Sequence, residues 1–346
     1  MADRLASSRK ARFESTKRHV TSYDVAQHAG VSQSAVSRCF KPGASVSKKM
    51  RDRVMKSVDE LGYQPNAIAR GLITRRSNMV AVIVSNLHVY PEVLTELSAR
   101  FTDRGVRVLL FSLDHESDVT EIIEQVTQFQ VDGVLAAAHL SPDQISYFEK
   151  RNVPLVFYNR AYDDIAVSSV RCDQFEGERL LVNRLVATQR HNSFAIVSGP
   201  ADSVVSTQRT KGAIERLTAL GKSDFVVVRG DYSYDSGRAA IRDIRESRGD
   251  MVDAIIAAND VMAFGCLDEL RFGLSLRVPD DVSVVGFDGV RATRWASFDL
   301  ATIQQPVESM AAAAVAMLMD RIEDPHLPPE KRMFSGKLRL GSTLGE

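Results

Sequence analysis

The sequence predicts a small all-α domain at the N-terminus, followed by an α/β core of two doubly wound parallel-sheet subdomains. Residues 1–76 hold 16 Lys and Arg against 6 Asp and Glu, whereas the rest of the 346 residues hold 28 against 38. From Met79 onward, apolar β-branched runs alternate with segments of helical periodicity, which is typical of parallel strands buried between helices. The core is too long for one ordinary sheet, so we expect two subdomains.

The first stretch with a clear local pattern is Val20–Phe40. Thr21 and Asp24 form a capping box that predicts the start of a short helix. Gly30 ends this helix, and Ser32 is a suitable cap for a second one. Two short helices joined by a glycine turn form a helix-turn-helix, the motif whose second helix enters the major groove of DNA.

The second predicted helix turns four polar side chains outward: Gln33, Ser34, Ser37 and Arg38. Amide, hydroxyl and guanidinium groups are the types that read base edges. An ordinary helical hairpin would have the same shape. The excess of basic residues in this part of the chain favours a polyanion as the partner.

The segments around this motif complete the predicted head. Residues 1–18 form a basic arm that we expect to be disordered, and the helix-turn-helix domain spans 19–64. Within it, Ser47 begins a third helix that braces the other two and carries an outer basic face of Lys48, Lys49, Arg51, Arg53 and Lys56. The linker, 65–77, contains a helical segment too short to be stable alone, so we expect it to order only on a partner.

The core, 78–346, contains eight apolar strand patterns: Val80–Val84, Val106–Phe111, Val131–Ala136, Leu155–Tyr158, Phe194–Val197, Phe225–Val228, Ala254–Ala257 and Val282–Phe287. We place the N-terminal subdomain at about 78–172 plus 291–322. The C-terminal subdomain then covers about 173–290 plus 323–346.

The core shows no recognisable motif for catalysis. No G-x-G-x-x-G follows the first strand, and neither a nucleophile elbow nor H-E-x-x-H occurs. Cys39, Cys172 and Cys266 are too far apart in sequence to suggest a disulfide framework or a zinc site. No export signal or membrane span is recognisable. We therefore expect a cytoplasmic protein that is not an enzyme and needs neither metal nor cofactor.

Polar side chains follow several strands at their carboxyl ends, where ligands bind in open α/β sheets. They are Asn159, Asp173, Asn259 and Asp288, with Arg209 after Gly199-Pro200 and the aromatic residues Tyr90, Tyr232 and Trp295. Such a set suits a small polyhydroxy ligand, because polar groups bind its hydroxyls and aromatic rings cover its apolar face. Each residue also fits a structural role: Asn259 as a helix cap, Trp295 as a core residue.

Several longer motifs occur in a fixed order along nearly the whole chain. They are Tyr23-Asp24-Val25-Ala26, Ala29-Gly30-Val31-Ser32 and Val36-Ser37-Arg38 in the head, Pro65-Asn66 and Ala69-Arg70-Gly71-Leu72 in the linker, and Ala258-Asn259-Asp260, Val278–Asp288 and Gln305-Pro306-Val307 in the core. Together they resemble the lactose/galactose-repressor-like (LacI/GalR) family of bacterial transcription regulators.

This resemblance implies a homodimeric transcription regulator, most simply a repressor, that binds a pseudo-palindromic operator. Gln33 and Ser34 would read bases, and Arg38 a base or a phosphate. Thr21, Tyr23, Ser32 and Asn66 would hold phosphates, while Leu72 would wedge into the minor groove from a hinge helix formed on DNA. The core would have a periplasmic-binding-protein-like fold. A sugar or sugar-derived effector would lie in a cleft lined by Asn159, Asp173, Arg209, Tyr232, Asn259 and Asp288.

The chain departs from the family pattern in places that bear on specificity. Ala35 and Lys41 replace the usual Thr and Asn, and Leu87–Pro91 lacks the family's Asn-Pro pair. These departures leave the operator and the effector open. A ligand-independent regulator, a transport-type sugar-binding protein and a sugar-modifying enzyme are the alternatives. The transport protein would need an export signal and no basic head, and the enzyme would need a catalytic constellation that the sequence does not show.

Overall fold

The computed structural model describes residues 20–40, 43–64, 76–85, 91–113, 119–160, 162 and 164–345. The chain divides into two compact units, Met1–Ser77 and Asn78–Glu346. The two units are described separately because each has its own core.

The first unit contains three helices: α1 (Ser22–Ala29), α2 (Gln33–Cys39) and α3 (Lys48–Leu61). Each begins where the sequence predicts, since the side chains of Thr21, Ser32 and Ser47 accept backbone N–H groups of the first turn. Gly30 has φ +62°, the left-handed conformation that lets the chain turn sharply between α1 and α2.

A small apolar cluster holds these three helices together. Val25 of α1, Val36 of α2 and Val54 of α3 are fully buried and form part of one cluster. Phe40 and Tyr63 pack against it, with their ring centroids 6.1 Å apart. The third helix is therefore the brace that the sequence predicts.

The second unit alternates strands and helices in the order typical of βαβ folds. Its strands are β1 (Met79–Val84), β2 (Arg107–Ser112), β3 (Gly133–Ala137), β4 (Leu155–Tyr158), β5 (Ser168–Cys172), β6 (Ser193–Ser198), β7 (Asp224–Arg229), β8 (Ala254–Ala257), β9 (Ser283–Asp288), β10 (Ala301–Gln304), β11 (Lys331–Phe334) and β12 (Lys337–Arg339). Its helices are α4 (Pro91–Asp103), α5 (Val119–Gln128), α6 (Pro142–Glu149), α7 (Gln174–Ala187), α8 (Val204–Ala219), α9 (Tyr234–Arg248), α10 (Asp260–Asp268) and α11 (Val307–Glu323).

The strands form two sheets of six. The first has the order β11-β5-β4-β3-β1-β2 and the second the order β12-β10-β9-β8-β6-β7. Every pairing is parallel except that of β12 with β10. The two doubly wound sheets confirm the predicted fold class, and the eight predicted strands agree with observed ones to within one or two residues.

The predicted subdomain boundaries are wrong at two strands. β10, placed in the N-terminal subdomain, pairs with β9 of the second sheet, and β11, placed in the C-terminal one, pairs with β5 of the first. Both strands are short, and β11 exposes alternate side chains, so neither gives an apolar run that the sequence could reveal. The chain therefore crosses between the sheets after β5, after β10 and after β11.

The long helix α11 belongs with the first sheet. Leu318 and Ile322 of this helix lie so close to Gly133 of β3 that a Cβ there would be 2.9 Å from the Leu318 Cδ1 atom. Among the described residues, no helix is long and apolar enough to cross a membrane.

Candidate ligand cleft and nucleic-acid interface

The second helix of the first unit presents polar side chains to solvent. Ser34, Ser37 and Arg38 are exposed, and Gln33 is half-buried. The Gln33 amide donates to the Ser22 hydroxyl at 3.3 Å, and Arg38 Nε donates to the Ser34 carbonyl at 3.4 Å. These contacts are local, so the side chains can rearrange on a partner without disturbing the core.

The predicted phosphate-holding residues differ in how fully their polar groups are used. Thr21 Oγ1 donates to Asp24 Oδ2 at 2.7 Å and accepts from the Asp24 N–H. Ser32 Oγ accepts the Ala35 N–H at 3.2 Å. Tyr23, by contrast, is 71% exposed, so its ring is available to a partner. The first two residues thus have a structural role that is sufficient to explain them.

Two of the basic residues on α3 hold this unit together. Arg51 Nη1 donates to the Cys39 carbonyl at 3.2 Å, and Arg53 Nη2 donates to the Gly30 carbonyl at 3.4 Å. Each guanidinium thereby satisfies a carbonyl at the C-terminal end of α2 or α1, where positive charge is favourable. The sequence indicated only an outer basic face, which Lys48 and Lys49 do form.

Some of the sequence-based predictions lie outside the described residues. These are the basic arm at 1–18, Lys41, the linker from 65 to 75 with Asn66 and Leu72, and Tyr90.

The second unit contains a cleft of about 1320 Å³. Six of the predicted ligand residues line it: Asn159, Arg209, Tyr232, Asn259, Asp288 and Trp295. Asp173 is not among the residues that line it, and it has a structural role. Its Oδ1 atom caps α7 by accepting the Glu176 N–H at 3.0 Å, so the carboxylate is directed to the helix end.

Arg209 lies at the centre of the cleft floor and is only 3% exposed. Its Nη2 donates to Asp288 Oδ1 at 2.8 Å, its Nε donates to Gln174 Oε1 at 2.8 Å, and its Nη1 donates to the Ala258 carbonyl. The guanidinium lies 3.8 Å from the centroid of the Phe287 ring, a cation–π contact. Three of the five N–H donors of Arg209 are thus used by described residues.

A chain of amides extends this network across the floor. Asn159 Nδ2 donates to Gln305 Oε1 at 2.6 Å, and Gln305 Nε2 donates to Asp288 Oδ1 at 2.7 Å. Asn159 Oδ1 accepts from Gln174 Nε2 at 3.3 Å. The sequence did not predict Gln174 and Gln305 as site residues, because an isolated Gln belongs to no recognisable binding motif. Only the motif beginning at Gln305 marked its position.

Asn259 has the structural role that the sequence left open, and it also faces the cleft. Its Oδ1 accepts the Met262 N–H at 2.8 Å and so caps α10, while its Nδ2 donates to the Tyr232 carbonyl at 3.1 Å. The Tyr232 hydroxyl lies 3.0 Å from Ser203 Oγ. The Tyr232 ring packs so closely on Gly199 that a Cβ there would lie 2.4 Å from it.

Asp260 supports the cleft from beneath and was not predicted as a site residue. It is fully buried, and its Oδ2 accepts the N–H groups of Gly289 and Val290 at 2.6 and 2.9 Å. Its Oδ1 accepts from the Thr302 hydroxyl at 2.6 Å. Burial, and then the nearby charge of Asp288, raises the pKa of Asp260 well above its ordinary value.

The turn that Asp260 holds carries Asp288 in an unusual backbone conformation. Asp288 has φ +119°, and Gly289 follows with φ +72°. Such values are costly for a side-chain-bearing residue and persist only where surrounding contacts enforce them. Burial raises the pKa of Asp288, and the Arg209 guanidinium opposes that rise.

The rim of the cleft joins the two sheets. Glu92 of α4 accepts the Arg291 N–H at 2.9 Å, which links the first sheet's side to the turn after β9. Trp295 lines the rim, is 56% exposed and stacks toward Phe298 at 6.4 Å. Trp295 is therefore a rim residue rather than a core residue. In the described ranges, no cluster of His, Cys, Asp and Glu could hold a metal ion.

Comparison with known proteins assigns both units to known families. Residues 21–66 match the model "Bacterial regulatory proteins, lacI family", and residues 183–344 match "Periplasmic binding protein-like domain". The HTH-type transcriptional regulator CelR of Thermobifida fusca is 33% identical over 340 residues, which is 94% of this chain and 98% of that protein.

Two solved structures are similar over the same length. The transcriptional regulator CelR–cellobiose complex is 30% identical with a TM-score of 0.71 and is matched over 94% of this chain and 100% of that one. The Lac repressor dimer bound to operator and the anti-inducer ONPF is 27% identical with a TM-score of 0.83, over 94% of this chain and 99% of that one. Both matches span the head and the core together.

Proposed function

This chain belongs to the lacI family of bacterial regulatory proteins, and from that premise we propose that it is a sugar-controlled repressor of transcription. It binds a pseudo-palindromic operator as a homodimer in the cytoplasm, where its DNA lies. It catalyses no reaction. The observation that carries the proposal is the combination, in one chain, of an exposed reading helix and a cleft whose buried charges are already balanced.

The DNA-reading part of the proposal rests on α2. Gln33, Ser34, Ser37 and Arg38 come from one face of a short helix, and their side-chain types match base edges in the major groove. Tyr23, Lys48 and Lys49 add exposed groups suited to phosphates. Thr21, Ser32, Asn66 and the minor-groove wedge Leu72 are included as proposed contacts from the family pattern.

The effector part of the proposal rests on the charge balance at Arg209. Asp288 lies 2.8 Å from the guanidinium, so this pair carries no net charge toward the cleft. Arg209 and Gln305 both donate to Oδ1 of Asp288, which leaves Oδ2 with acceptor capacity toward the described residues of the cleft. A donor–acceptor pair of this kind matches vicinal hydroxyls, which donate and accept together.

We therefore infer a neutral sugar rather than an anion as the effector. The ring of Tyr232 and the indole of Trp295 supply apolar surface, as pockets for such ligands require. The similar CelR structure is a complex with cellobiose, which makes neutral disaccharides the first candidates. At the floor itself, the charge of Arg209 is already balanced by Asp288, so a sugar acid or sugar phosphate would find no unpaired guanidinium at Arg209.

Two experiments test the function. The full chain is used to select duplexes from a random pool, and its thermal unfolding is measured with neutral sugars, sugar acids and sugar phosphates. A specific sugar should raise the melting temperature by mass action. Arg209→Ala should abolish that rise, whereas Arg216→Ala, on the same helix but bonded to Asn183, should keep it.

The outcomes separate the alternatives. A selected operator without any stabilising sugar would support the ligand-independent regulator. A stabilising sugar without any duplex preference would support a binding protein. Turnover of the sugar would revive the enzyme.

A further inference from the structure

The second unit contains a buried acidic residue whose carboxyl group is not part of the hydrogen-bond network in the cleft floor. Glu178 of α7 is 1% exposed, and neither of its carboxyl oxygens has a hydrogen-bond partner among the described residues. A buried polar group normally has a partner, so a glutamate in this position needs a reason. A glutamine would fill the same space without any capacity to ionise.

Glu178 lies one helical turn beyond Gln174, on the side of α7 that faces α8. The two helices cross very closely there: a Cβ on Gly212 would be 3.2 Å from the Glu178 Cβ and 2.9 Å from the Phe175 carbonyl oxygen. Arg209 is three residues before Gly212 on α8. Glu178 is thus placed directly beneath the floor of the cleft.

Few charged groups face Glu178 from the elements packed around α7. From α8 comes Arg209, and from β9 comes Asp288, and both act electrostatically on Glu178. The other charged groups nearby are occupied elsewhere. Lys211 pairs with Glu215, Arg216 bonds to Asn183, Arg179 pairs with Glu176 on the surface, Arg339 pairs with Asp299, and Lys337 is exposed at the cleft.

Two carboxyl groups therefore lie within the electrostatic influence of one guanidinium, and only Asp288 is bonded to it. Asp288 is hydrogen-bonded to Arg209 and holds the charge. Burial raises the pKa of Glu178 to about 8, with Arg209 lowering it and Asp288 raising it further. Near neutral pH, Glu178 is accordingly protonated, and a small rise in pH ionises it.

We propose that Glu178 is a positioning residue for Arg209. When Glu178 is neutral, the guanidinium of Arg209 stays with Asp288, and when Glu178 is ionised, it draws the guanidinium away from the cleft. This rests on the proposed function only in taking Arg209 as the effector-binding group. Ionisation adds a second negative charge beside one cation, so the Arg209–Asp288 pair weakens. Asp288 directly precedes the turn that leads to the rim, so we expect the change at this pair to alter the surroundings of Trp295.

The test needs no sugar, because Trp295 is the single tryptophan of the chain and lies at the cleft. Its fluorescence emission and its quenching by acrylamide are followed in the full chain from about pH 6 to about pH 9.5. The unfolding temperature is measured over the same range. Glu178→Gln mimics the neutral acid, and Glu176→Gln is the matched control on the exposed side of the same helix.

We expect Trp295 emission of the wild type and of Glu176→Gln to titrate with a midpoint near pH 8, and that of Glu178→Gln to stay flat. The gain in unfolding temperature from Glu178→Gln should be larger at about pH 9 than at about pH 5.5 by roughly 7 °C or more. The native protein keeps a proton that the unfolded chain releases above an ordinary pKa of 4.5, so stability falls as pH rises toward 8. A merely structural role would shift the unfolding temperature equally at every pH.

Three results would overturn the proposal: a flat wild-type titration, a titration retained in Glu178→Gln, or a stability linkage without any change at Trp295. Should Glu178→Gln not fold, infrared difference spectra of the wild type between pH 6 and 9 replace it. The pKa of Asp260 is also raised, so Asp260→Asn is measured alongside. A protonated-carboxyl C=O band that is lost in that range in both proteins supports the proposal, and its absence rejects it. None of these results depends on whether the chain binds a sugar.

Discussion

The two units of this chain hold their candidate functional residues in opposite ways. In the head the described ones are neighbours in sequence, they lie on α1, α2 and their caps, and most are exposed. In the core they come from several distant segments, as the bond between Asn159 and Gln305 across 146 positions illustrates, and most are buried. The head can therefore adapt to a charged surface, whereas the cleft is preorganised and responds as one network.

Salt should separate the two units most strongly. Operator affinity should fall by about a thousandfold between 50 and 200 mM salt, because the basic head displaces counterions from DNA. Sugar affinity should change by less than about twofold, because the Arg209–Asp288 pair is buried and screened little by salt. Fluorescence anisotropy with a selected duplex and calorimetry with the sugar measure the two. Parallel salt dependences would remove the distinction.

Removing Asp260, which supports the cleft from beneath, should have the next largest effect. Asp260→Ala leaves two buried N–H groups and the Thr302 hydroxyl without their acceptor, so the core should lose about 3 kcal/mol or more. Urea unfolding followed by Trp295 fluorescence measures this loss. Asp243→Ala, at an exposed position of α9, is the control and should change little. Equal stability of the two variants would contradict the role of Asp260.

A smaller effect is expected from removing a helix cap in the head. Ser32→Ala removes the cap of α2 and should destabilise the first unit by about 1 kcal/mol. Hydrogen exchange of the amides in 20–64 reports this separately from the core. Ser37→Ala, at an exposed position of the same helix, should leave exchange unchanged and alter operator affinity only. A reversed pattern would mean that Ser37 is structural and Ser32 is not.

The smallest expected effect concerns pH in the core. Burial lowers the pKa of His191, whose ring lies 3.0 Å from the Leu185 carbonyl and 2.9 Å from Ser283 Oγ. The unfolded chain takes up a proton below the ordinary pKa of 6.5 while the native histidine stays neutral, so stability falls as pH falls. His191→Gln should lose less stability than the wild type between pH 7.5 and 5.5. The exposed control His326→Gln should behave like the wild type, and a similar loss in all three proteins would reject the assignment.

The same contrast explains what the sequence could predict. Caps, the glycine turn and the outward face of α2 depend on residues a few positions apart, so they were readable directly. Continuous apolar runs likewise located the eight buried strands. The strands β10 and β11 are short and depend on distant partners, so their assignment to a sheet could not be read from local pattern.

Within the cleft, the sequence located residues at strand ends but not the bonds between them. Asp173 occupies such an end and serves as a helix cap instead. Gln174, Asp260 and Gln305 became visible only through their buried contacts. Glu178 shows the same limit, because a glutamate one turn along a helix looks solvent-exposed until α8 is packed against it.

The most direct test of the account is operator binding with and without sugar. The full chain is titrated onto its own selected duplex, with and without the sugar that raises its unfolding temperature. We predict that the sugar changes operator affinity by roughly 5- to 150-fold in the wild type and not in Arg209→Ala. Operator affinity that stays unchanged while the sugar is bound would contradict control of the head by the cleft.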